Sequence, residues 1–165
     1  MYCPQCASSG LELQQHKCLE CKACGFTYFH NVATAVAALI VVNNEVLLIR
    51  RARDPGRGLL GLAGGFVDPF ESAEQALFRE IHEELGLQLS VKAEYLGAWA
   101  NEYNYKNVKY HTQDIYYVIY LPSKPMMQLA PEEVSEVVWK AKQEVNLEEL
   151  AFCSARDALA YWLKQ

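Results

Sequence analysis

The sequence lacks a long hydrophobic run and an excess of positive charge. Its longest apolar run, Ala35 to Val42, is far shorter than the roughly 20 residues that a membrane-spanning helix needs. Fifteen Lys and Arg residues against 20 Asp and Glu residues give a net charge of −5, which disfavours a broad surface for nucleic acid or an anionic membrane. The N-terminus shows no basic-then-apolar signal pattern. We therefore expect a cytoplasmic protein without membrane association, and we do not expect nucleic acid as a partner.

Cysteine is scarce beyond the first 24 residues. Five of the six cysteines lie there, and Cys153 stands alone near the other end. Two Cys-x2-Cys pairs, Cys3 with Cys6 and Cys21 with Cys24, would supply the four thiolates of a structural Zn²⁺ site. Disulfides or redox thiols are the alternatives, and a cytoplasmic location argues against disulfides.

The choice of the fourth zinc ligand rests on a glycine. Cys18 also forms a Cys-x2-Cys pair with Cys21, but Gly25 follows Cys24 and allows the backbone to turn tightly beneath the pair. We therefore predict Cys24 as the ligand and Cys18 as a spare thiol, and we expect Cys153 to be a buried, inert thiol. The first 29 residues contain few large aliphatic side chains, so a bound metal would have to hold them together.

Beyond residue 30, predicted strands alternate with predicted helices. Apolar and β-branched runs predict five strands, at Thr34–Val42, Glu45–Arg50, Glu94–Ala100, Ile115–Leu121 and Val134–Lys140. Helical periodicity predicts helices at Ser72–Leu85 and Ser154–Leu163. Ser72 and Gln75 match a capping box, and Gly86 marks a C-terminal end. This order predicts the mixed α/β class.

Three glutamates crowd one side of the helix predicted at Ser72–Leu85. Glu84 projects onto the apolar stripe of Leu77 and Ile81, and Glu80 and Glu83 lie beside it. Like charges at this spacing repel, and a carboxylate turned toward a core is costly unless it is paired or bound to metal. A hard divalent cation, Mg²⁺ or Mn²⁺, resolves both problems. The alternative is a solvated acidic face, which the position of Glu84 disfavours.

The same segment resembles the signature of the Nudix family, the Nudix box. Every fixed position of that 23-residue pattern is filled, by Gly65, Glu71 and the run Arg79-Glu80-Ile81-His82-Glu83-Glu84-Leu85-Gly86-Leu87. The resemblance covers about residues 31–165 and implies an α/β/α sandwich with a mixed β-sheet. Residues 1–30 resemble the small zinc ribbon that precedes some members of the family. Many members are dimers, so the resemblance also makes a homodimer an expectation.

The resemblance implies an enzyme that hydrolyses the pyrophosphate bond of a nucleoside diphosphate linked to another group and releases a nucleoside monophosphate. Glu80, Glu83 and Glu84 would be the ligands of catalytic Mg²⁺, and Glu83 or Glu84 would also orient or deprotonate the attacking water. Glu71 and Arg79 would pair to hold the loop against the helix. A further acidic residue outside the box is expected, with Glu133 and Glu136 as the main candidates and Glu132 beside them.

Substrate-binding residues are predicted on both sides of the box. Arg50 and Arg51 offer donors suited to phosphate, and by resemblance Gly64 and Gly65 let the backbone approach metal and phosphate. Tyr103 would stack on a base, as would Tyr105 and Tyr110, which flank the same predicted polar loop.

The substrate itself is less well determined. The stretch after the box does not match that of the NADH pyrophosphatases, and an ADP-ribose-like or dinucleotide substrate is favoured. A second hypothesis is a non-catalytic, nucleotide-sensing module of the same fold whose zinc ribbon binds a partner. The complete set of glutamates favours the enzyme.

Overall fold

The computed structural model describes residues 1–14, 18–106 and 108–165. The chain forms two compact units, Met1–Val32 and Ala33–Gln165. No helix in these described ranges is long and apolar enough to cross a membrane.

The N-terminal unit is a small antiparallel sheet. Its strands are β1 (Leu11–Gln14), β2 (Cys18–Cys21) and β3 (Thr27–Phe29), in that order across the sheet. Its buried core consists of Cys3, Leu11 and Cys21. One buried leucine is a small core for about 30 residues, so this unit needs a further source of stability.

The second unit contains a seven-stranded sheet and two helices. The strands are β4 (Ala33–Val42), β5 (Glu45–Arg51), β6 (Leu60–Gly61), β7 (Ala63–Phe66), β8 (Glu94–Tyr105), β9 (Val108–Leu121) and β10 (Val134–Ala141). The main order is β10-β5-β4-β9-β8, with β6 on β5 and β7 on β4. Strand β4 runs parallel to β9 and antiparallel to β5 and β7, so the sheet is mixed, as predicted.

The helices α1 (Ala73–Leu85) and α2 (Cys153–Trp162) cover opposite faces of the sheet. Alternate residues of β4 belong to different cores: Ile40 packs in the core of α1, whereas Leu39 and Val41 pack in the core of α2. Neighbouring side chains on a strand point to opposite faces. The predicted α/β/α sandwich is therefore confirmed. Short 3-10 turns at Lys142–Glu144 and Leu147–Glu149 connect β10 to α2.

Helix α1 begins and ends where the sequence predicts. The Ser72 hydroxyl accepts a hydrogen bond from the Gln75 N–H, and the Gln75 side chain accepts one from the Ser72 N–H. Gly86 ends the helix in the left-handed conformation with φ of 68°. Because both ends of the helix are fixed, its rotation about its own axis is fixed as well. The direction in which its glutamates point follows from that rotation.

The polar loop predicted after Ala100 is wrong. Strands β8 and β9 continue through it as a long antiparallel hairpin, in which Tyr103 pairs with Tyr110 and Asn101 pairs with Thr112. Cross-strand aromatic pairs stabilise such a ladder, although the polar residues between them suggested a loop. The hairpin turn at Lys106 has a positive φ of 46°, and residue 107 lies outside the described ranges.

Candidate active site

Helix α1 places a buried carboxylate against the glycines of β7. The Glu84 side chain is 5% exposed, and its Oε2 accepts a hydrogen bond of 2.9 Å from the Gly64 N–H. Burial raises the pKa of Glu84 to about 8, even though the Gly64 N–H acts in the opposite direction. Burial also raises the pKa of Glu80 against the effect of the neighbouring Arg79 guanidinium. In the metal-free site, both carboxyl groups therefore hold protons more tightly than they would in water.

The two glycines allow this close approach. Gly64 has a φ of 152°, and a Cβ there would lie 2.0 Å from the carbonyl oxygen of Val36 on β4. A Cβ at Gly65 would lie 2.5 Å from Glu80 Oε1. A side chain at Gly64 would collide with the backbone of β4, so this position needs glycine, whereas a side chain at Gly65 would displace the Glu80 carboxylate.

Arg79 ties the loop before α1 to the helix. Its Nε and one terminal nitrogen donate to the two oxygens of Glu71 at 2.7 and 3.0 Å. The same terminal nitrogen donates to the carbonyl oxygen of Phe66, and the other donates to Glu80 and Glu83. The Arg79 guanidinium lowers the pKa of Glu71, and Glu71 in turn raises the pKa of Arg79. This contact agrees with the role that the resemblance implied for the pair.

Glu133 faces the same site from just before β10. Together with Glu80, Glu83 and Glu84 it lines one cavity of about 270 Å³. Its Oε2 lies 2.8 Å from a terminal nitrogen of Arg53. Glu136 instead pairs with Arg50 at 2.7 Å, and neither of these two lines the cavity. Of the two acidic candidates outside the box, Glu133 is the one beside the other carboxylates.

The cavity extends from the carboxylates to a polar wall formed by the β8–β9 hairpin. The predicted substrate residues Arg51, Gly64, Gly65 and Tyr103 all line it. The sequence did not indicate a further group of lining residues, namely Asn101, Thr112, Asp114, Tyr116 and Phe152. Polar side chains alternate along the two paired strands, and this alternation could have indicated the polar wall. It can be recognised only when the strands are known to extend that far.

The tyrosines of the hairpin also line a second, more apolar cavity of about 410 Å³. Tyr103, Tyr105 and Tyr110 surround it together with Phe66 and Val67. The Phe66 and Tyr103 rings meet edge to face, with centroids 5.4 Å apart. Tyr103 therefore contributes to both cavities, whereas Tyr105 and Tyr110 contribute only to the second.

The four predicted zinc cysteines lie together in the N-terminal unit. The sulfur atoms of Cys3, Cys6, Cys21 and Cys24 are all within 4.8 Å of one another. The sulfur pairs Cys3–Cys24 and Cys6–Cys21 are each 3.7 Å apart. A tetrahedral site with metal–sulfur bonds of about 2.3 Å requires sulfur atoms roughly 3.8 Å apart. The four thiols fit a metal ion of that size, and Cys18 is not one of the group. The prediction that Cys153 is buried is wrong, because its position at the start of α2 leaves it exposed.

The donor set of the carboxylate site fits a different kind of metal. All of its acidic groups are carboxylates, whose oxygens hard divalent cations prefer. Six carboxylates line the cavity, four from glutamates and two from aspartates, and such groups repel one another unless they share protons or a cation. Arg51 and Arg53, which line the same cavity, supply donors for phosphate oxygens. The arrangement can hold a divalent cation beside a phosphorylated ligand.

The comparisons with known proteins agree with one another on the family. The family described as NUDIX domain matches residues 32–162. The chain is 46% identical over 66 residues, 40% of its length, to the ADP-ribose pyrophosphatase of Methanocaldococcus jannaschii. It is 31% identical over 98 residues, 59% of its length, to the NAD-capped RNA hydrolase NudC of Pseudomonas aeruginosa. These matches span only 38% and 34% of the two relatives' own lengths.

Two further known proteins match this chain over most of their own length. The nucleoside triphosphatase NudI of Enterobacter sp. is 33% identical over 119 residues, which is 68% of this chain and 84% of that protein. The crystal structure of MutT NUDIX hydrolase from Burkholderia pseudomallei superposes with a TM-score of 0.68 at 30% identity, over 80% of this chain and 98% of that chain.

Proposed function

Because the chain belongs to the Nudix family, we propose that it is a Mg²⁺-dependent hydrolase that cleaves the pyrophosphate bond of a nucleoside diphosphate linked to another group. The observation that carries this proposal is the buried Glu84 carboxylate, held against the Gly64 N–H in a cavity that three further glutamates line. A carboxylate in such a position is costly for stability alone.

Glu80, Glu83 and Glu84 would hold the divalent metal, Mg²⁺ or Mn²⁺. When bound, it would supply positive charge that offsets the charge of the phosphoryl oxygens in the transition state. Glu83 is the most solvent-accessible of the three, with its side chain 57% exposed, and it can reach a water molecule in the cavity. We assign Glu83, together with Glu84, to orienting or deprotonating that water.

Glu133 would act as the acidic residue from outside the helix. It lines the same cavity as the glutamates of α1 and pairs with Arg53. Arg51 would contact the phosphate groups, because it is half-buried in the cavity wall, with its guanidinium carbon 4.8 Å from the centre of the Phe152 ring. Gly64 and Gly65 would let the backbone approach the pyrophosphate. Catalysis of this kind is mostly positioning and electrostatic stabilisation.

An ADP-ribose-like or dinucleotide substrate is favoured. One relative is an ADP-ribose pyrophosphatase, and Tyr103 and Phe152 place two aromatic rings, with centroids 5.7 Å apart, beside the cavity. Aromatic faces of this kind stack on nucleobases. Cleavage would release a nucleoside monophosphate and the phosphorylated second group.

We also propose that Cys3, Cys6, Cys21 and Cys24 hold a structural Zn²⁺. Their sulfur distances fit the tetrahedral thiolate site that zinc prefers, and the core of the N-terminal unit is too small to be stable alone. We further propose a cytoplasmic location, in which thiols stay reduced, and a homodimer, which size-exclusion chromatography with light scattering would test.

The experiment is a substrate panel assayed for release of nucleoside monophosphate with and without Mg²⁺. The panel contains ADP-ribose, NADH, FAD, dinucleoside polyphosphates and nucleoside triphosphates. Mg²⁺-dependent cleavage that both Glu83→Gln and Glu84→Gln abolish supports the proposal and ranks the substrates. Tight binding without cleavage across the panel would instead favour the nucleotide-sensing module. Normal turnover in both variants would overturn the assignment of these glutamates.

A further inference from the structure

The part of the cavity wall that the β8–β9 hairpin forms carries a cluster of buried polar side chains. Asn101 of β8 pairs with Thr112 of β9, and Asp114 lies two residues further along the same strand. These side chains therefore share one face of the hairpin. All three line the cavity, and Asn101 and Asp114 are each only 7% exposed.

Two hydroxyl groups beside Asp114 direct their hydrogens toward its carboxylate. Thr112 Oγ1 donates to Asp114 Oδ1 at 2.6 Å, and Ser154 Oγ donates to Oδ2 at 2.6 Å. Tyr116 lies 2.8 Å from Ser154. Because the single Ser154 proton is directed to Asp114, the Tyr116 hydroxyl must donate to Ser154. These distances are typical of hydroxyl-to-carboxylate bonds.

The Asp114 carboxylate consequently remains an acceptor. A carboxylate offers about four lone-pair positions, and the two hydroxyls use one on each oxygen. The neighbouring hydroxyls have no further hydrogen to offer. No other side chain in the described ranges donates to Asp114, so the remaining positions are open to a donor from a molecule inside the cavity.

Asn101 presents the opposite polarity beside it. Within the described part of the chain, its side chain makes one hydrogen bond, in which Oδ1 accepts from the Cys153 thiol at 3.2 Å. This bond leaves the two N–H groups of the amide to serve a ligand. The wall thus offers an acceptor, Asp114, next to a donor, Asn101, and the rings of Tyr103 and Phe152 line the same cavity.

We propose that this wall binds the purine base of the substrate by its hydrogen-bonding edge, with Asp114 accepting from a base N–H and Asn101 donating to the adjacent base acceptor. Adenine carries such an edge in its 6-amino group and N1, and guanine carries one in its N1–H and O6. Cytosine and uracil carry the same donor and acceptor pairs, so the preference for a purine rests on its larger ring system, which stacks more fully on the rings of Tyr103 and Phe152. The inference rests on the proposed function, because it assigns the base of that substrate. A purely structural network would not depend on the chemistry of the base edge.

Nucleoside monophosphates test the proposal without any need for turnover. Titration calorimetry of the wild-type protein would compare AMP and GMP with their N1-methyl derivatives and with CMP and UMP. We expect N1-methylation to weaken binding of the preferred purine at least tenfold, and we expect the pyrimidines to bind more weakly than that purine. The comparison of AMP with GMP shows whether the site prefers the edge of adenine or that of guanine. Equal binding of a purine and its N1-methyl derivative, or equal binding of purines and pyrimidines, would overturn the proposal.

Variants separate recognition from folding. Asp114→Asn replaces the acceptor by an amide, and we expect it to weaken binding of the preferred purine nucleotide at least tenfold and to raise KM with little change in kcat. The matched control is Glu102→Gln, the same kind of change on the outer face of β8, where Glu102 pairs with Lys109. We expect this control to bind like the wild type. A fall in kcat at unchanged KM in Asp114→Asn would indicate a structural role and contradict the proposal.

The hydrolase activity and the base site can be tested separately. If the substrate panel shows Mg²⁺-dependent turnover but N1-methylation has no effect on binding, the base site is wrong and the hydrolase stands. If no substrate is cleaved but monophosphate binding depends on the base edge, the hydrolase is wrong and the base site stands. The titrations with N1-methyl nucleotides use only the wild-type protein, so they test the base site even if Asp114→Asn does not fold.

Discussion

Replacing Glu84 by Gln should stabilise the metal-free protein at high pH and leave its stability nearly unchanged at low pH. Burial raises the pKa of this carboxyl to about 8 in the metal-free protein, against about 4.3 for a free Glu. The folded state therefore binds a proton that the unfolded state releases between these values. The free energy of unfolding must fall as the pH rises through that window. Glutamine resembles the protonated acid and carries no such dependence.

The magnitude follows from the same two pKa values. Each pH unit within the window is worth at most about 1.4 kcal/mol, so the full window sets an upper limit of roughly 5 kcal/mol. Relaxation of the site and shared protonation with Glu80 reduce this limit. We expect Glu84→Gln to be about as stable as the wild type at pH 5, and more stable by about 2–4 kcal/mol at pH 8.5.

Urea denaturation in Mg²⁺-free buffer, from pH 5 to pH 9, measures this difference. The control is Glu74→Gln, which removes an exposed carboxylate from the first turn of the same helix and should give a nearly constant difference across this range. Adding Mg²⁺ should stabilise the wild type and not Glu84→Gln, because the cation replaces the buried proton. A variant that is less stable than the wild type at pH 8.5 without Mg²⁺ would refute the reasoning.

Three further predictions, made with four substitutions, test other parts of the structure. Phe70 is fully exposed with a φ of 72°, so Phe70→Gly should relieve backbone strain and stabilise the protein by about 1 kcal/mol in urea denaturation; destabilisation would contradict this. Arg79→Lys loses the two-pronged contact with Glu71 and should lower turnover at least tenfold in steady-state kinetics; an unchanged rate would show that the pair does not matter. Cys24→Ser should lose the bound zinc, whereas Cys18→Ser should retain about one zinc per chain in elemental analysis; equal loss from both would exclude the assigned ligand set.

The sequence was most informative where one local pattern decides the geometry. The helical projection placed Glu84 on the apolar side of α1, and the structure buries it there. The capping pattern at Ser72 fixed the start of that helix. Gly25 pointed to Cys24 rather than Cys18, and the four sulfur atoms cluster accordingly.

The polar wall of the cavity could not be predicted because it depends on pairing between distant residues. Asn101 lay in a predicted loop, and Asp114 just outside a predicted strand. Only the register of β8 against β9 brings them to one face, and only the packing of α2 adds Ser154 to the network. The choice between Glu133 and Glu136 likewise follows from β10 pairing with β5, which places Arg50 opposite Glu136.

The most direct test of the central claim is the rate of nucleoside monophosphate release from the best substrate of the panel, measured across a Mg²⁺ titration for the wild type and for Glu83→Gln. The account predicts a rate that depends on Mg²⁺ and saturates in the wild type, and a loss of at least 100-fold in the variant, because an interaction with the reacting water is removed. Turnover that persists without divalent metal, or that Glu83→Gln leaves unchanged, would contradict the assignment of this cavity as a Nudix active site.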